Sequence, residues 1–240
     1  FLEITYRNQN GLEGYLNYQS QSLAQGTTYV NTYNGNLTGV WNLGNTIGGK
    51  YPAGVGLVYN TNDVVLNKNT IYGKGYKLTL DQTIKEVVID NYNYLEYVDE
   101  DGTIHYFYEK KTEDETLYQD EDGLSLTVRK ENNQYQMTDK NGNQMIFVKS
   151  GDLAYLQSQV DVKKNTISIE RNSNHQITKI VDANQAEINF YYEPNRIRIV
   201  SPDVTTELIY SNGNLVAIED SQGTSHITYN SDYLITEIVD

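Results

Sequence analysis

The chain has 240 residues, 32 of them acidic and 18 basic, so its formal net charge is −14 with three neutral histidines. This charge argues against a nucleic-acid partner or insertion at an anionic membrane, because binding to phosphates needs clustered Lys and Arg. Cysteine is absent, which excludes disulfides and cysteine-bound zinc, and no apolar run reaches the roughly 18 residues of a membrane-spanning helix. The 22 tyrosines and only three prolines are typical of a large β structure.

Residues 1–75 predict an N-terminal segment that is irregular and contains a few strands. Phe1 to Tyr6 has the pattern of a strand, and residues 8–26 are polar and irregular. Strand-like stretches follow at residues 27–33, 36–41 and 54–60, with a glycine-rich stretch before the last of them. No Pro- or Ser-rich linker follows, so we expect the boundary near Tyr76 to be a change of pattern within one body.

Residues 76–240 alternate apolar and polar side chains with a period of two. Clear examples are residues 124–128, 187–192 and 196–199. One apolar and one polar face indicates antiparallel strands, because buried parallel strands read as continuous apolar runs. Asp-Gly and Asn-Gly pairs separate the strands and predict type I′ hairpin turns, at Asn34-Gly35, Asp101-Gly102, Asp122-Gly123, Asn141-Gly142 and Asn212-Gly213.

The pattern recurs about every 19 residues, the length of one hairpin with its turns. Tyr191, Tyr210 and Tyr229 share this spacing, which predicts a ladder of tyrosines on neighbouring hairpins. The interval predicts roughly 16 strands between residues 78 and 240. Open twisted sheets rarely exceed about ten strands without curling, so we expect one long antiparallel sheet that curls on itself.

The hairpin unit near the C-terminus resembles the YD repeat of Rhs proteins. Its matching residues are Tyr210, Gly213, Leu215, Ile218, Asp220 and Gly223. A poorer copy runs from Tyr229 through Ile238 to Asp240, and a third, at residues 177–185, lacks the glycine. The N-terminal half is similar to wall-associated-protein-like polymorphic toxins of Gram-positive bacteria, in residues 10–15, 29–37, 58–63, 99–107 and 139–143.

This resemblance implies a secreted or cell-wall-associated shell. In such proteins, hairpin repeats coil into a hollow cocoon around a C-terminal toxin domain, and the N-terminal part plugs one end. Residues 1–75 would be the plug-like segment and residues 76–240 part of the wall, a non-enzymatic structure without a cofactor. The expected partners are the remainder of the same shell and its C-terminal cargo. The DPxG motif of the family's self-cleaving segment is absent, so we expect a fragment of a longer protein.

Acidic residues concentrate at residues 96–122, where 11 acids stand against two bases. The sequence Asp-Glu-Asp-Gly occurs twice there, ending at Gly102 and at Gly123. Calcium prefers several oxygen ligands, which makes Asp99, Asp101, Asp120 and Asp122 candidate ligands. The spacing does not fit an EF-hand, and two solvated hairpin turns without an ion explain the same residues, so we favour that interpretation.

Two other functions compete with the shell. One is a surface adhesion or carbohydrate-binding module, with exposed tyrosines and Trp41 around a groove and cell-wall glycan as partner. The other is a hydrolase that uses an acid pair, since carboxylate separations cannot be read from a sequence. The three histidines show no metal-binding or relay spacing. We expect all three at the solvent edge, with His105 and His226 in strands just after turns and His175 in a polar turn.

Overall fold

A computed structural model describes residues 10–111 and 116–240. The chain is all-β, and its described residues include one short helix, α1 (Thr61–Val65). The strands are β1 (Tyr18–Ser22), β2 (Gly26–Asn31), β3 (Leu37–Asn45), β4 (Gly54–Asn60), β5 (Asn69–Thr70), β6 (Gly73–Lys74), β7 (Tyr76–Leu78), β8 (Thr83–Ile89), β9 (Tyr92–Val98), β10 (Ile104–Lys111), β11 (Thr116–Asp120), β12 (Thr127–Glu131), β13 (Gln134–Thr138), β14 (Gln144–Ser150), β15 (Leu153–Val160), β16 (Thr166–Arg171), β17 (Ile177–Val181), β18 (Glu187–Glu193), β19 (Arg196–Val200), β20 (Thr205–Ser211), β21 (Asn214–Asp220), β22 (Gly223–Tyr229) and β23 (Ile235–Val239).

These strands form a five-stranded sheet, a two-stranded hairpin and one sheet of 16 strands. The five-stranded sheet has the order β1-β2-β3-β4-β7, and β5 pairs with β6. The long sheet contains β8 to β23, which is the strand number that the hairpin period predicts. Tyr76–Leu78 pairs with β4, so the change from the first sheet to the long sheet lies between Leu78 and Thr83.

Two stretches differ from their predicted structure, and a third lies outside the described residues. The strand predicted at residues 124–128 begins only at Thr127, because the Asp120 carboxylate accepts the backbone amides of Leu124 and Leu126 and holds the preceding residues in a turn. The stretch predicted as irregular at residues 8–26 contains β1. The strand predicted at Phe1 to Tyr6 lies outside the described residues.

The long sheet closes on itself through β15, which gives a ring of eight strands, β8 to β15. β15 pairs with β14 along one side, and Leu153 to Tyr155 pair with β8 on the other side. Farther along that second side, Ser158 to Val160 pair with β16. A β-bulge places an extra residue, Gln157, between these two partners. The sheet therefore both closes a ring and continues beyond it, as an arm that contains β16 to β23.

The interior of the ring is filled with side chains. Cross-strand neighbours such as Tyr135 and Phe147, or Val128 and Met137, are all nearly inaccessible to solvent. The Tyr97 ring packs edge-on against Phe147, with 5.9 Å between ring centroids. An eight-stranded ring is just wide enough for its side chains to fill, so the interior of the ring is a packed core.

The five-stranded sheet packs against one face of the arm. Buried residues of both sheets, including Trp41 and Leu57 on one side and Leu208 and Ile218 on the other, belong to the same hydrophobic core. Tyrosine hydroxyls make further contacts with the arm: the Tyr76 hydroxyl of β7 lies 2.8 Å from that of Tyr229, and the Tyr72 hydroxyl, in the turn between β5 and β6, lies 3.1 Å from that of Tyr192. The Gln25 side chain donates to the Gly223 carbonyl at 2.8 Å.

Truncation of a ring-filling side chain tests the packed interior. Phe147→Ala should lower the free energy of unfolding by about 3–5 kcal/mol, because it leaves a cavity among rigid neighbours. Tyr92→Ala is the matched control, since Tyr92 lies in the same ring but is 70% exposed. Urea denaturation measures both. Equal, small losses in the two variants would show that the ring interior is not packed as described.

Candidate functional site

One turn geometry recurs along the long sheet and uses the side chain of an Asp or Asn at a strand end. In the turn at residues 99–103, Asp99 Oδ1 accepts the backbone N–H groups of Asp101 and Thr103. The fourth residue, Gly102, has a positive φ of 92°. The same arrangement occurs in the turns that begin at Asp139, Asp161, Asn172, Asp182 and Asn230. These side chains serve as backbone acceptors and define the hairpin ends.

The type I′ form was predicted for five pairs, and the structure shows it at Asn212-Gly213, where both φ values are positive. At the other four pairs only the glycine has a positive φ. The reason at Asp101-Gly102 and Asn141-Gly142 is the longer turn with its Asp acceptor, because that turn needs one left-handed residue instead of two.

The acidic turn at residues 99–103 is the docking point of the N-terminal segment, which we define as residues 10–14. Asp101 Oδ2 accepts the Leu12 backbone N–H at 2.8 Å. The Thr103 hydroxyl lies 2.8 Å from both the Asn10 carbonyl and Asp101 Oδ1. Gly11 has a φ of +68°, and a Cβ there would lie 1.8 Å from Asp101 Oδ1. Only glycine therefore permits this approach.

Asn60 is fully buried at the centre of this contact and joins three parts of the chain. Its Oδ1 accepts from the Gly11 N–H at 2.9 Å, the Asn36 amide at 3.1 Å and the Thr38 hydroxyl at 3.0 Å. Its Nδ2 donates to the Asp101 carbonyl at 2.7 Å. A buried amide with this many satisfied bonds fixes the relative position of the groups that it bonds.

His105 lies in β10, directly after the same acidic turn, and is only 3% exposed. The prediction that this residue lies at the solvent edge is therefore wrong. It pairs with Tyr97, which points into the ring. Its Nδ1 lies 3.0 Å from Asp122 Oδ2 and its Nε2 lies 3.2 Å from Asp99 Oδ2. Glu13 of the N-terminal segment adds a third carboxylate, 3.9 Å from Nε2.

Burial and charge compete at this site. Burial acts to lower the pKa of His105, but hydrogen bonds and charges from Asp99 and Asp122, with the charge of Glu13, outweigh it and raise the pKa above its ordinary value. Burial is the main reason that the pKa values of Asp99 and Glu13 are also raised, because it disfavours their charged forms. The cluster thus holds protons more tightly than the same groups would in water.

Lys77 lies beneath the acidic turn and contacts its backbone. Its Nζ donates to the carbonyl oxygens of Asp99 and Glu100, the latter at 3.1 Å. Burial lowers the pKa of Lys77, although nearby carboxylates act in the opposite direction. Lys77 therefore stabilises the turn through backbone carbonyl oxygens, and the carboxylates of the turn remain available to other partners.

The four candidate calcium ligands do not converge on one point. Asp99 and Asp122 meet at His105, Asp101 bonds to the N-terminal segment, and Asp120 accepts the backbone amides of Leu124 and Leu126. Across the described ranges, no three His, Cys, Asp or Glu side chains form a group suited to hold a metal ion.

Most of the repeat residues line the interface between the arm and the five-stranded sheet. Leu215 and Ile218 are fully buried, Ile238 packs on the core, and the Gly223 carbonyl accepts the Gln25 side chain. Gly213 forms the β20–β21 turn, and Asp220 accepts the Gln222 backbone N–H in the next turn.

The tyrosine ladder differs from its prediction in one member. Tyr192 and Tyr229 donate their hydroxyls to the carbonyls of Ile177 and Leu215, and the hydroxyl of Tyr210 is buried. Tyr191 is 44% exposed, because alternation along β18 points Phe190 and Tyr192 inward. The ladder therefore consists of Tyr192, Tyr210 and Tyr229. The equal 19-residue spacing predicted Tyr191 in place of its neighbour Tyr192.

The sequence did not indicate the roles of Gly11, Asn60 and Lys77. The hydrogen-bond partners named for them above lie 22 to 49 residues away along the chain, and no local sequence pattern reports such a separation. For His105 a signal existed: alternation in β10 gives it the same face as Phe107, which is inward.

A comparison with protein-family models finds no match for this chain, and a search of curated proteins finds no significant similarity. In the part of the chain that the structure describes, no helix has the length and apolar character needed to cross a membrane.

Substitution of Gly11 tests the docking of the N-terminal segment. Gly11→Ala should release the segment, because the added methyl would overlap the Asp101 carboxylate and the positive φ is strained for alanine. We expect faster protease cleavage within the segment. Gly14→Ala is the matched control, since its Cβ would meet open space. Equal cleavage of both variants and the wild type would contradict the docking described.

Proposed function

We propose that this chain is a non-enzymatic structural segment of an extracellular Rhs/YD-repeat shell, in which further hairpins enclose a C-terminal toxin or effector domain. The observation that carries the proposal is the arm itself. Consecutive hairpins from β16 to β23 extend outward from a closed ring, and among the described residues β23 is paired on one side only. The Ile235 N–H donates to the Tyr59 hydroxyl at 3.4 Å, and the remaining backbone groups on the unpaired side of β23 are open to a next strand of the same kind.

The five-stranded sheet supports a plug role for the N-terminal part. It covers one face of the arm, and the hydroxyl of its Tyr76 bonds to that of Tyr229 in the repeats. Because the ring is also filled, the space for a cargo would lie beyond β23 and not within this chain. In this proposal the chain is the sealed end of the shell, and its position is secreted or cell-wall-associated.

The hydrogen bonds of the acidic side chains and the burial of Trp41 support a structural role over the two rival functions. Asp99, Asp101 and Asp120 accept backbone N–H groups, so these carboxylates are engaged in turns and docking. Trp41 is fully buried and packs near Tyr76, with 6.2 Å between ring centroids, which leaves it no face for a sugar. The proposed partners are the rest of the shell and its cargo.

Limited proteolysis of the full-length protein that contains this chain tests the proposal. The C-terminal domain of the wild type should resist cleavage, because the wall excludes the protease. Ile238→Asp should expose that domain to cleavage at least tenfold faster, roughly the effect of losing 1.4 kcal/mol of local stability, since it places a charge on the core-facing side of β23.

Val239→Asp is the matched control, because the neighbouring side chain is 49% exposed. It should leave the cleavage rate unchanged. A C-terminal domain that is cleaved equally fast in the wild type and both variants would overturn the proposal, as would a full-length protein without such a domain.

A further inference from the structure

We infer that His105, with Asp99, Asp122 and Glu13, is a pH-operated latch that holds the N-terminal segment on the end of the ring below neutral pH and releases it as the pH rises. The inference concerns the contact within this chain and is independent of the proposed shell. It starts from the fact that three parts of the chain bring carboxylates to one buried imidazole: the N-terminal segment, the β9–β10 turn and the β11–β12 connection.

With Asp99 and Asp122 ionised, hydrogen bonding to both of them requires a proton on each ring nitrogen of His105. A neutral imidazole has one N–H donor, whereas ionised carboxylates only accept. The contacts of Nδ1 with Asp122 and of Nε2 with Asp99, at 3.0 and 3.2 Å, can therefore both be hydrogen bonds only in the imidazolium form. The close approach of Glu13 to the same Nε2 also favours the positive charge.

Loss of this proton would leave a buried site with an excess of negative charge. One hydrogen bond to a carboxylate would disappear, and three acids would face a neutral ring. The other groups near His105 do not replace its charge. Tyr97 is a neutral phenol in this range, because burial raises its pKa, and Lys77 is committed to the carbonyls of Asp99 and Glu100.

The N-terminal segment depends on the orientation of the same turn. Asp99 binds His105 through Oδ2 and caps the backbone of the turn through Oδ1. That turn presents Asp101, whose Oδ2 accepts the Leu12 N–H. When the Asp99–His105 contact weakens, the turn is held less firmly, and so is its Asp101 carboxylate, which accepts the Leu12 N–H. The attraction between Glu13 and His105 is lost directly with the proton.

The direction of the pH effect follows from the pKa of His105. The imidazole of an unfolded chain has a pKa near 6.5. In the folded chain the nearby carboxylates outweigh the effect of burial, so the pKa of His105 is higher. The stabilisation is therefore complete below about pH 6.5 and is lost as the pH rises through the folded pKa. Asp99 and Glu13, whose pKa values burial raises, act in the same direction at lower pH and do not cancel the effect.

Amide hydrogen exchange of residues 10–14 tests the latch, after correction for the intrinsic dependence of exchange on pH. In the wild type, the opening constant of the segment should rise between pH 6 and pH 9, about tenfold for each unit by which the His105 pKa exceeds its ordinary value. In Glu13→Gln, whose side chain keeps the size but loses the charge, the rise should be smaller. In His226→Gln, which changes an exposed histidine, it should equal that of the wild type.

A second measurement uses the wild type alone, so its result does not depend on whether a variant folds. NMR titration of the His105 ring should give a pKa above 6.5, with the amide of Leu12 shifting over the same pH range. A His105 pKa at or below 6.5, or an opening constant that does not change between pH 6 and pH 9, would overturn the inference. An identical pH dependence in His105→Gln would do the same.

Discussion

The backbone pairing of β15 is the constraint on which the rest of the structure depends. This one strand is hydrogen-bonded to β14 along its length and to both β8 and β16 on its other side. The bulge at Gln157 lies between those two partners, and bulges increase local twist and bend the strand. The second side of β15 is thereby divided between β8 and β16, so one sheet closes into a ring and still continues.

The ring and the arm, which β15 joins, bury their apolar faces in different ways. The ring buries one face of its strands against itself, with Tyr97, Phe147 and Met137 in its interior. The arm has no such closure, so its apolar face needs a cover, and the five-stranded sheet supplies it. Arg171, in the first strand of the arm, bonds to the segment that leads into β8, to Asp81 at 2.7 Å and to the Leu80 carbonyl at 2.9 Å.

The sequence predicted the periodic features well and the long-range ones poorly. Alternation located β18 and β19, and the hairpin interval gave the number of strands, because both follow from local backbone geometry. Closure through β15 was not predictable, since it joins Leu153 to Lys85 across 68 residues of sequence. The docking role of Asp101 was not predictable for the same reason. The sequence marks Asp101 as an acidic turn residue, but its partner Leu12 belongs to another part of the chain.

Because β15 belongs to both the ring and the arm, we expect the two to unfold as one cooperative body. Native-state hydrogen exchange at increasing urea concentration measures this most directly. We expect the buried amides of β8, β15 and β16 to share one opening free energy, equal to that of global unfolding. An arm that exchanges at low urea while the ring remains protected, with the break inside β15, would contradict the account.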